Sequence, residues 1–183
     1  MTAMSTPFVP RRIALLSTGG TIEKTFNESD GTLANQRSVL DIMLASLVLN
    51  GVTVDRVSIM NKDSLEMTDR DHEQIAKVAE AYTNSHDGVV IVHGTDRLQF
   101  TGESIIEHVG ETPRAPIVLT GAMRPYELRT TDAMQNLSEA LLAVQLVEPG
   151  VYVAFHNRVL RFPGVVKDHH AMTFRRVDEI IPD

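Results

Sequence analysis

A glycine-rich turn with hydroxyl side chains follows the first apolar run of the chain. Residues 17–21 read STGGT, and the two adjacent glycines let the backbone turn sharply and approach a ligand closely. The hydroxyls of Thr18 and Thr21 can therefore face a bound ligand. A phosphate-binding turn or a plain strand-to-loop turn is the alternative, although the dinucleotide fingerprint needs a third glycine and an immediate helix.

A second polar group, residues 93–96, reads HGTD and ends another apolar run. Thr95 and Asp96 present a hydroxyl and a carboxylate side by side at the start of a predicted helix. Helix capping is the competing interpretation, because Asp96 stands three residues before Gln99, which is a capping-box spacing. The two interpretations differ in where the Asp96 carboxylate points.

Two further segments complete the candidate residues. Residues 121–125 read GAMRP, and their small side chains again permit a close backbone approach, although a simple loop with Asp132 as the next N-cap is the alternative. Residues 165–167 place Lys167 in an apolar context. A solvated surface lysine is the usual explanation, but a partly buried lysine has a lowered pKa and can act as a base.

The elements that must position these residues alternate along the chain. Short β-branched runs occupy residues 13–18, 52–60, 88–93, 116–120 and 150–155, and helical patterns occupy residues 38–50, 69–84, 99–109 and 132–147. This alternation predicts a doubly wound α/β fold of the Rossmann or flavodoxin-like kind, a parallel sheet with helices on both faces. Ligands bind such sheets at the carboxyl ends of the strands, where the candidate residues stand.

One segment departs from the alternation. Residues 19–37 are too polar and too rich in turn signals for a core helix, and Asn27 and Gly31 mark two of those turns. We interpret this segment as a mobile hairpin or lid.

Composition limits the class of protein. The chain has 183 residues, 43% of them hydrophobic, a formal net charge of -7 and no cysteine. That length predicts one domain, with residues 1–10 as a flexible tail and residues 11–183 as a single α/β unit. The acidity argues against nucleic acid as a partner, and the missing cysteines exclude thiol chemistry. Without a signal peptide or a membrane-spanning run, we expect a cytoplasmic protein with no membrane contact.

Five segments in one order resemble the bacterial-type L-asparaginase family. They are TGGTI at residues 18–22, SLEM at residues 64–67, HGTD at residues 93–96, GAMRP at residues 121–125 and the lysine segment at residues 166–167. The first and third motifs are each moderately specific, and all five together are strong. The resemblance covers only the family's first domain, so we expect a short single-domain form that lacks the usual C-terminal domain.

The resemblance implies a role for each matching residue. Thr21 is the primary nucleophile, and Thr95, Asp96 and Lys167 form a second catalytic set. Gly20, Ser64 and Ala122 bind substrate together with Thr95 and Asp96, and within this set Ser64 and Asp96 hold the amino-acid head group. The implied reaction is hydrolysis of L-asparagine to L-aspartate and ammonia through a threonine acyl-enzyme, with L-glutamine as a weaker substrate. Neither a cofactor nor a metal is expected.

Two residues depart from the family pattern. Phe26 is the nearest aromatic residue in the lid, where members usually carry a tyrosine hydrogen-bonded to the first threonine, and a phenylalanine cannot relay a proton. Glu23 or a water would then take that role. Arg97 follows HGTD where a threonine is usual, and its charge can tune or obstruct the head-group site. The alternatives are therefore a catalytically weak or dead amino-acid-binding domain, or an amidotransferase subunit.

Apolar surface beyond the needs of the core predicts self-association. Helix 132–147 carries more apolar positions than one stripe against a sheet requires, and residues 151–162 are largely apolar near the predicted sheet edge. Since family members form symmetric oligomers, we expect a homodimer or a dimer of dimers.

Overall fold

The computed structural model describes residues 9–27, 31–34 and 39–179. The strands are β1 Arg11–Gly19, β2 Thr25–Asn27, β3 Thr32–Ala34, β4 Val52–Lys62, β5 Gly88–Val92, β6 Ile117–Thr120, β7 Val151–Phe155, β8 Arg158–Arg161, β9 Val165–Asp168 and β10 Thr173–Arg176. The α-helices are α1 Leu40–Ala45, α2 Asp69–Thr83, α3 Leu98–Val109 and α4 Ala133–Leu146.

A six-stranded sheet in the order β4-β1-β5-β6-β7-β8 forms the centre of the fold. Its first five strands run parallel, and β8 pairs antiparallel with β7 at one edge. The chain winds in opposite directions from β1, so the switch point lies between β1 and β5, where a crevice opens at the carboxyl ends. The predicted doubly wound parallel sheet is thus confirmed, with one antiparallel edge strand added.

Helices cover both faces of this sheet. On β1, Ile13 and Leu15 pack in the layer of α1 and α4, whereas Ala14 and Leu16 pack in the layer of α2 and α3. The alternation follows from the two-residue period of a strand. Strands β5, β6 and β7 are buried along their whole length, which explains why they read as continuous apolar runs.

The helix predictions hold within about one residue for α2, α3 and α4, but the first helix is shorter than predicted. The described part of α1 ends at Ala45, and Ser46 follows as its C-cap. The Ser46 hydroxyl donates to the carbonyl of Met43 at 2.7 Å, a local bond that competes with continuation of the helix. Periodicity of apolar residues alone does not detect such a stop.

Two short antiparallel pairings lie outside the six-stranded sheet. β2 pairs with β3 inside the segment predicted as a hairpin, and β9 pairs with β10, which follow the edge strand β8 along the chain. The hairpin prediction is confirmed, and the turn between β2 and β3 at residues 28–30 lies outside the described residues. β8, β9 and β10 were not predicted, because they are as short as β6 but are not buried along their length, so they form no continuous apolar run.

Helix α4 buries most of the apolar positions that suggest a subunit contact. Leu137, Ala140, Leu141 and Val144 are buried in the α1–α4 layer. The exposed apolar side chains of α4 are others, Leu142 at 58% and Leu146 at 73% exposure. Surface for self-association is therefore smaller than the sequence suggests.

No helix among the described residues has the length and apolar character to cross a membrane.

Candidate active site

The carboxyl ends of β1, β5 and β6 bring three of the sequence motifs together. The Thr18 hydroxyl donates to the carbonyl of Val92 at 3.1 Å, which joins TGGTI to the start of HGTD. The His93 N–H donates to the carbonyl of Thr120 at 2.9 Å, which joins HGTD to the start of GAMRP. The motifs lie side by side because parallel strands end at one edge of the sheet, as predicted.

Two glycines allow the loops to touch. A Cβ at Gly20 would lie 2.5 Å from the Cα of Gly94, and a Cβ at Gly94 would lie 2.6 Å from the Ser64 hydroxyl oxygen. Gly20 also has a φ of 88°, a conformation that side-chain-bearing residues rarely adopt. Both positions therefore require glycine, and the loops after β1, β4 and β5 meet at Gly94.

Lys167 forms the most direct contacts among the predicted site residues. Its Nζ lies 2.9 Å from the Thr95 hydroxyl oxygen and 2.7 Å from Oδ1 of Asp96. The Lys167 side chain is only 6% exposed. β9 holds the lysine in place, since the Lys167 backbone N–H donates to the Gln99 side chain at 2.8 Å. The surface-lysine interpretation is therefore wrong, and a hydroxyl, a carboxylate and an amine share one hydrogen-bonded set.

The carboxylate of Asp96 does not cap the following helix. Helix α3 begins at Leu98 with Arg97 as its N-cap, and no side chain there bonds the helix N-terminus. The capping-box interpretation of Asp96 and Gln99 is wrong, because one side chain bonds Nζ of Lys167 and the other bonds the Lys167 backbone. Both residues hold β9 against the HGTD segment.

Ser64 occupies the first position of a short 3-10 turn, Ser64–Glu66, directly after β4. The residue is buried, yet its hydroxyl oxygen has no hydrogen-bond partner among the described residues. A buried polar group without a partner costs about 1–3 kcal/mol. The Asp63 side chain holds the turn by accepting the Leu65 N–H at 3.1 Å, and it forms an ion pair with Lys24 at 2.8 Å. The Ser64 hydroxyl therefore lies at the meeting point of the loops with no hydrogen-bond partner among the described residues.

Thr21 starts a 3-10 turn, Thr21–Glu23, at the end of β1. Its side chain is half-buried, and Ile22 and Glu23 are buried beside it. The contacts of the described residues link Thr21 to Thr95, Asp96 and Lys167 through the backbone, where Gly20 packs on Gly94. Thr21 thus belongs to the same crevice but is not hydrogen-bonded to the lysine set.

Asp132 organises the GAMRP loop, in which Ala122 is fully buried. Its two carboxylate oxygens accept the N–H groups of Met123 and Arg124, each at 3.0 Å, and the Asp132 side chain does not cap α4. The Thr131 hydroxyl accepts the first N–H of that helix, from Ala133, at 3.0 Å. Burial alone would raise the pKa of Asp132, but hydrogen bonds from Met123, His156 and Arg124 outweigh it and lower that pKa. Asp132 is thus the N-cap residue of α4, as predicted, but its carboxylate holds the preceding loop.

Sequence reasoning missed His156, which lies next to this loop. Its Nε2 is 2.8 Å from Oδ2 of Asp132, and its backbone N–H donates to the Asn136 side chain at 3.1 Å. His156 directly follows β7, so the rule that site residues follow parallel strands would have found it.

The contacts of the two residues that depart from the family pattern are made with groups other than Asp96 and Lys167. Phe26, on β2, is 55% exposed, and its backbone N–H donates to the Glu127 side chain at 2.7 Å. Nη1 of Arg97 donates to the carbonyl of Met67 at 3.3 Å, and the guanidinium carbon lies 5.8 Å from the centre of the Phe100 ring. Arg97 therefore joins α3 to the Ser64 turn and does not obstruct Asp96.

An open groove runs beside the lysine set. Its lining residues are Asp96, Gln99, Phe100, Val166, Lys167, His169 and Val177. Across the part of the chain that the structure describes, no group of three His, Cys, Asp or Glu side chains could hold a metal ion.

Comparison with known proteins shows the family to which this chain is similar. The family model described as "Asparaginase, N-terminal" matches residues 12–178. The L-asparaginase of Thermococcus kodakarensis is 32% identical over 160 residues, 86% of this chain and 48% of the relative. The chain thus spans about half the length of that curated relative. A glutamyl-tRNA(Gln) amidotransferase subunit of Thermoplasma acidophilum is 30% identical over 72% of this chain and 32% of the relative.

Solved structures share the fold. The thermostable L-asparaginase from Thermococcus kodakarensis superposes with a TM-score of 0.81 at 30% identity, covering 90% of this chain and 51% of that one. The probable cytoplasmic L-asparaginase from Campylobacter jejuni gives a TM-score of 0.73 at 33% identity, covering 87% of this chain and 50% of that one. The motifs, the loops that carry them and the match across residues 12–178 place this chain in the asparaginase family, as its N-terminal domain.

Proposed function

We propose that this protein is an amidohydrolase that cleaves the side-chain amide of L-asparagine, with L-glutamine as a weaker substrate. The observation that carries the proposal is the buried Lys167 amine in contact with Thr95 and Asp96 beside the TGGTI loop. The family membership and the names of the relatives support the reaction class.

The proposed first step is attack by the Thr21 hydroxyl oxygen on the amide carbon. The hydroxyl proton passes to the amide nitrogen, ammonia leaves, and a β-aspartyl ester remains on Thr21. Because a threonine hydroxyl is a weak nucleophile, it needs a base and donors for the developing oxyanion. Backbone N–H groups near Thr95 and Ala122 are the proposed donors.

The second step is hydrolysis of the ester. Water attacks the ester carbon, the Thr21 oxygen regains a proton, and aspartate is released. Lys167 and Thr95 are suited to accept and return the water's proton, since they already share a hydrogen bond of 2.9 Å.

Substrate binding uses opposite charge and unpaired donors. The Asp96 carboxylate would pair with the substrate ammonium by a charge-assisted hydrogen bond. The Ser64 hydroxyl, which has no partner among the described residues, would donate to the substrate carboxylate. A zwitterionic amino acid therefore satisfies both groups at once, with no cofactor.

Two other functions remain as alternatives. An amino-acid-binding domain without turnover is favoured by Phe26, which cannot relay a proton from Thr21. A role within an amidotransferase is favoured by the 30% identity to the glutamyl-tRNA(Gln) amidotransferase chain of Thermoplasma acidophilum.

By resemblance to the probable cytoplasmic L-asparaginase of Campylobacter jejuni, we propose a cytoplasmic location for this chain as well.

Ammonia release from asparagine, glutamine and their D-isomers tests the proposal. The purified protein should release ammonia from asparagine. Thr21→Ala should lower that rate by at least about a thousandfold, because it removes the proposed nucleophile. Thr53→Ala, an exposed threonine on β4, is the matched control and should keep wild-type activity. Full activity in Thr21→Ala would show that another group attacks. Binding of asparagine without turnover supports the binding domain, and activity only with a partner protein supports the amidotransferase role.

A further inference from the structure

A chain of buried hydrogen bonds leads from the α2–α3 interface to the HGTD segment. Nδ1 of His72 lies 2.7 Å from the Thr101 hydroxyl oxygen, which lies 2.7 Å from Nε2 of His93. Nδ1 of His93 lies 2.8 Å from the carbonyl oxygen of Gly94. All three side chains are buried, so bulk water does not compete for these bonds.

The Gly94 carbonyl fixes which group donates and which accepts in this whole series of hydrogen bonds. Because a carbonyl oxygen only accepts, Nδ1 of His93 must carry the proton. Burial lowers the pKa of His93 to about 4, so its ring is neutral at pH 7 and its Nε2 accepts. The Thr101 hydroxyl therefore donates to His93 and accepts from Nδ1–H of His72. Burial lowers the pKa of His72 as well, in keeping with a neutral ring.

This series of hydrogen bonds ends at Gly94, where the site loops meet. Gly20 and Ser64 both pack against Gly94, and Gly121 packs on the carbonyl of His93. None of these contacts leaves room for an added methyl group. A shift of the His93–Gly94 peptide would therefore displace the loops after β1, β4 and β6 together.

We propose that His72, Thr101 and His93 are positioning residues that hold the Gly94 peptide, and with it Thr95 and Asp96, where amide hydrolysis requires them. None of the three lines the groove beside Lys167, so they act through the HGTD backbone. The inference rests on the proposed amidohydrolase activity. Its competitor is a purely structural role, in which the three side chains only stabilise the packing of α2 on α3.

Nitrogen-15 NMR of the imidazole rings tests the assigned directions of these hydrogen bonds without reference to activity. Both His72 and His93 should show a protonated Nδ1 and an unprotonated Nε2 at pH 7. A protonated Nε2 on neutral His93 would overturn the assigned direction and the proposal with it.

Thr101→Val tests the positioning role, since valine keeps the shape of threonine and removes the hydroxyl. We expect kcat for asparagine to fall about tenfold or more, with a smaller change in KM, because small displacements of reacting groups are costly. Thr101→Ser should recover most of the rate. Thr83→Val is the matched control, because the Thr83 hydroxyl bonds only the Glu80 carbonyl within α2.

Amide hydrogen exchange at residues 94–96 tests the positioning role independently of the amidohydrolase activity on which the proposal rests. In Thr101→Val these amides should exchange at least about tenfold faster than in wild type, as expected for a locally loosened segment, and in Thr83→Val they should not change. An inactive wild type with this exchange pattern would contradict the proposed function but keep the positioning role. A Thr101→Val variant that loses thermal stability only, with kcat and exchange unchanged, would establish the structural role instead.

Discussion

At the scale of single residues, burial separates Lys167 from an ordinary surface lysine. A hydrated ammonium needs no fixed partner, whereas an amine that is 6% exposed must find its acceptors inside the protein. Thr95 and Asp96 are those acceptors. The sequence shows only that Lys167 follows two valines, so its burial could not be predicted, although the family motif identified the residue.

Lys167→Met removes the amine while keeping most of the apolar stem. We expect at least about a hundredfold loss of kcat, because a positioned acid–base group contributes about 10²–10⁴-fold. Asp96→Ala should mainly raise KM, since Asp96 is the proposed partner of the substrate ammonium. Steady-state ammonia release measures both constants. Wild-type kinetics in both variants would show that this hydrogen-bonded set is not used in catalysis.

Phe26→Tyr tests the proton relay of the lid. A tyrosine adds a hydroxyl that can share the Thr21 proton, so we expect kcat to rise severalfold if the lid brings residue 26 over the site. The exposure of Phe26 leaves room for the hydroxyl without a clash. An unchanged or lower kcat would assign the relay elsewhere, and Glu23→Gln then tests the buried carboxyl two residues after Thr21.

At the scale of elements, the sequence predicts long helices and fully buried strands well, and short, partly exposed strands poorly. The buried strands and α2, α3 and α4 carry enough residues to show a period, so their positions were predicted closely. The short strands β8, β9 and β10 carry no such signal. The bonds among His72, Thr101 and His93 join three separate elements, and no local spacing in the sequence could indicate them.

Gly94→Ala tests whether the loops must touch at Gly94. The added Cβ would lie 2.6 Å from the Ser64 hydroxyl oxygen and 2.7 Å from its Cβ, so one loop must move. We expect a loss of about 1–3 kcal/mol in unfolding free energy and a much larger loss of kcat/KM. Gly51→Ala is the control, because its nearest neighbour is a flexible glutamine oxygen at 3.7 Å. Equal kinetics in Gly94→Ala and wild type would contradict the contact.

At the scale of the whole molecule, the two buried histidines couple stability to pH. Burial lowers the pKa of His93 from 6.5 to about 4. Burial also lowers the pKa of His72, an effect that Arg97 increases and that Asp69 and Asp71 oppose. The unfolded chain therefore binds more protons than the folded one between pH 6.5 and pH 4, so stability falls as the pH falls through this window.

Urea unfolding at pH 7.5 and pH 4.5 measures that loss. His93 alone accounts for a decrease of up to about 3 kcal/mol, since each pKa unit corresponds to about 1.4 kcal/mol. His93→Gln should flatten the pH dependence, and His170→Gln, at an exposed position, should leave it unchanged. Asp71 should contribute little to the difference between the two pH values. Lys62 lowers the pKa of Asp71 to about 2, so its contribution to the free energy of unfolding is lost only below about pH 4. Equal stability at both pH values would contradict the burial of neutral histidines.

Self-association is the last property that the surface predicts. The exposed side chains of Leu142 and Val48 line a shallow groove together with Leu47 and Leu49, and Leu146, one turn after Leu142 on α4, is also exposed. Since exposed apolar side chains that cluster mark contact surfaces, we expect a homodimer or a dimer of dimers at micromolar concentration. Sedimentation should give a mass of at least twice 20.2 kDa.

Leu142→Glu locates the contact, because a charge in an apolar interface opposes association without disturbing a buried core. We expect that variant to sediment as a smaller species with an unchanged fold by circular dichroism. Gln74→Glu is the control, since it adds the same charge at an exposed position on α2, which packs on the opposite face of the sheet. A wild-type mass near 20.2 kDa would contradict the assembly. An oligomer that survives Leu142→Glu would move the contact to another face, and the edge strand β8, with Val159 exposed at 44%, is the next surface to test.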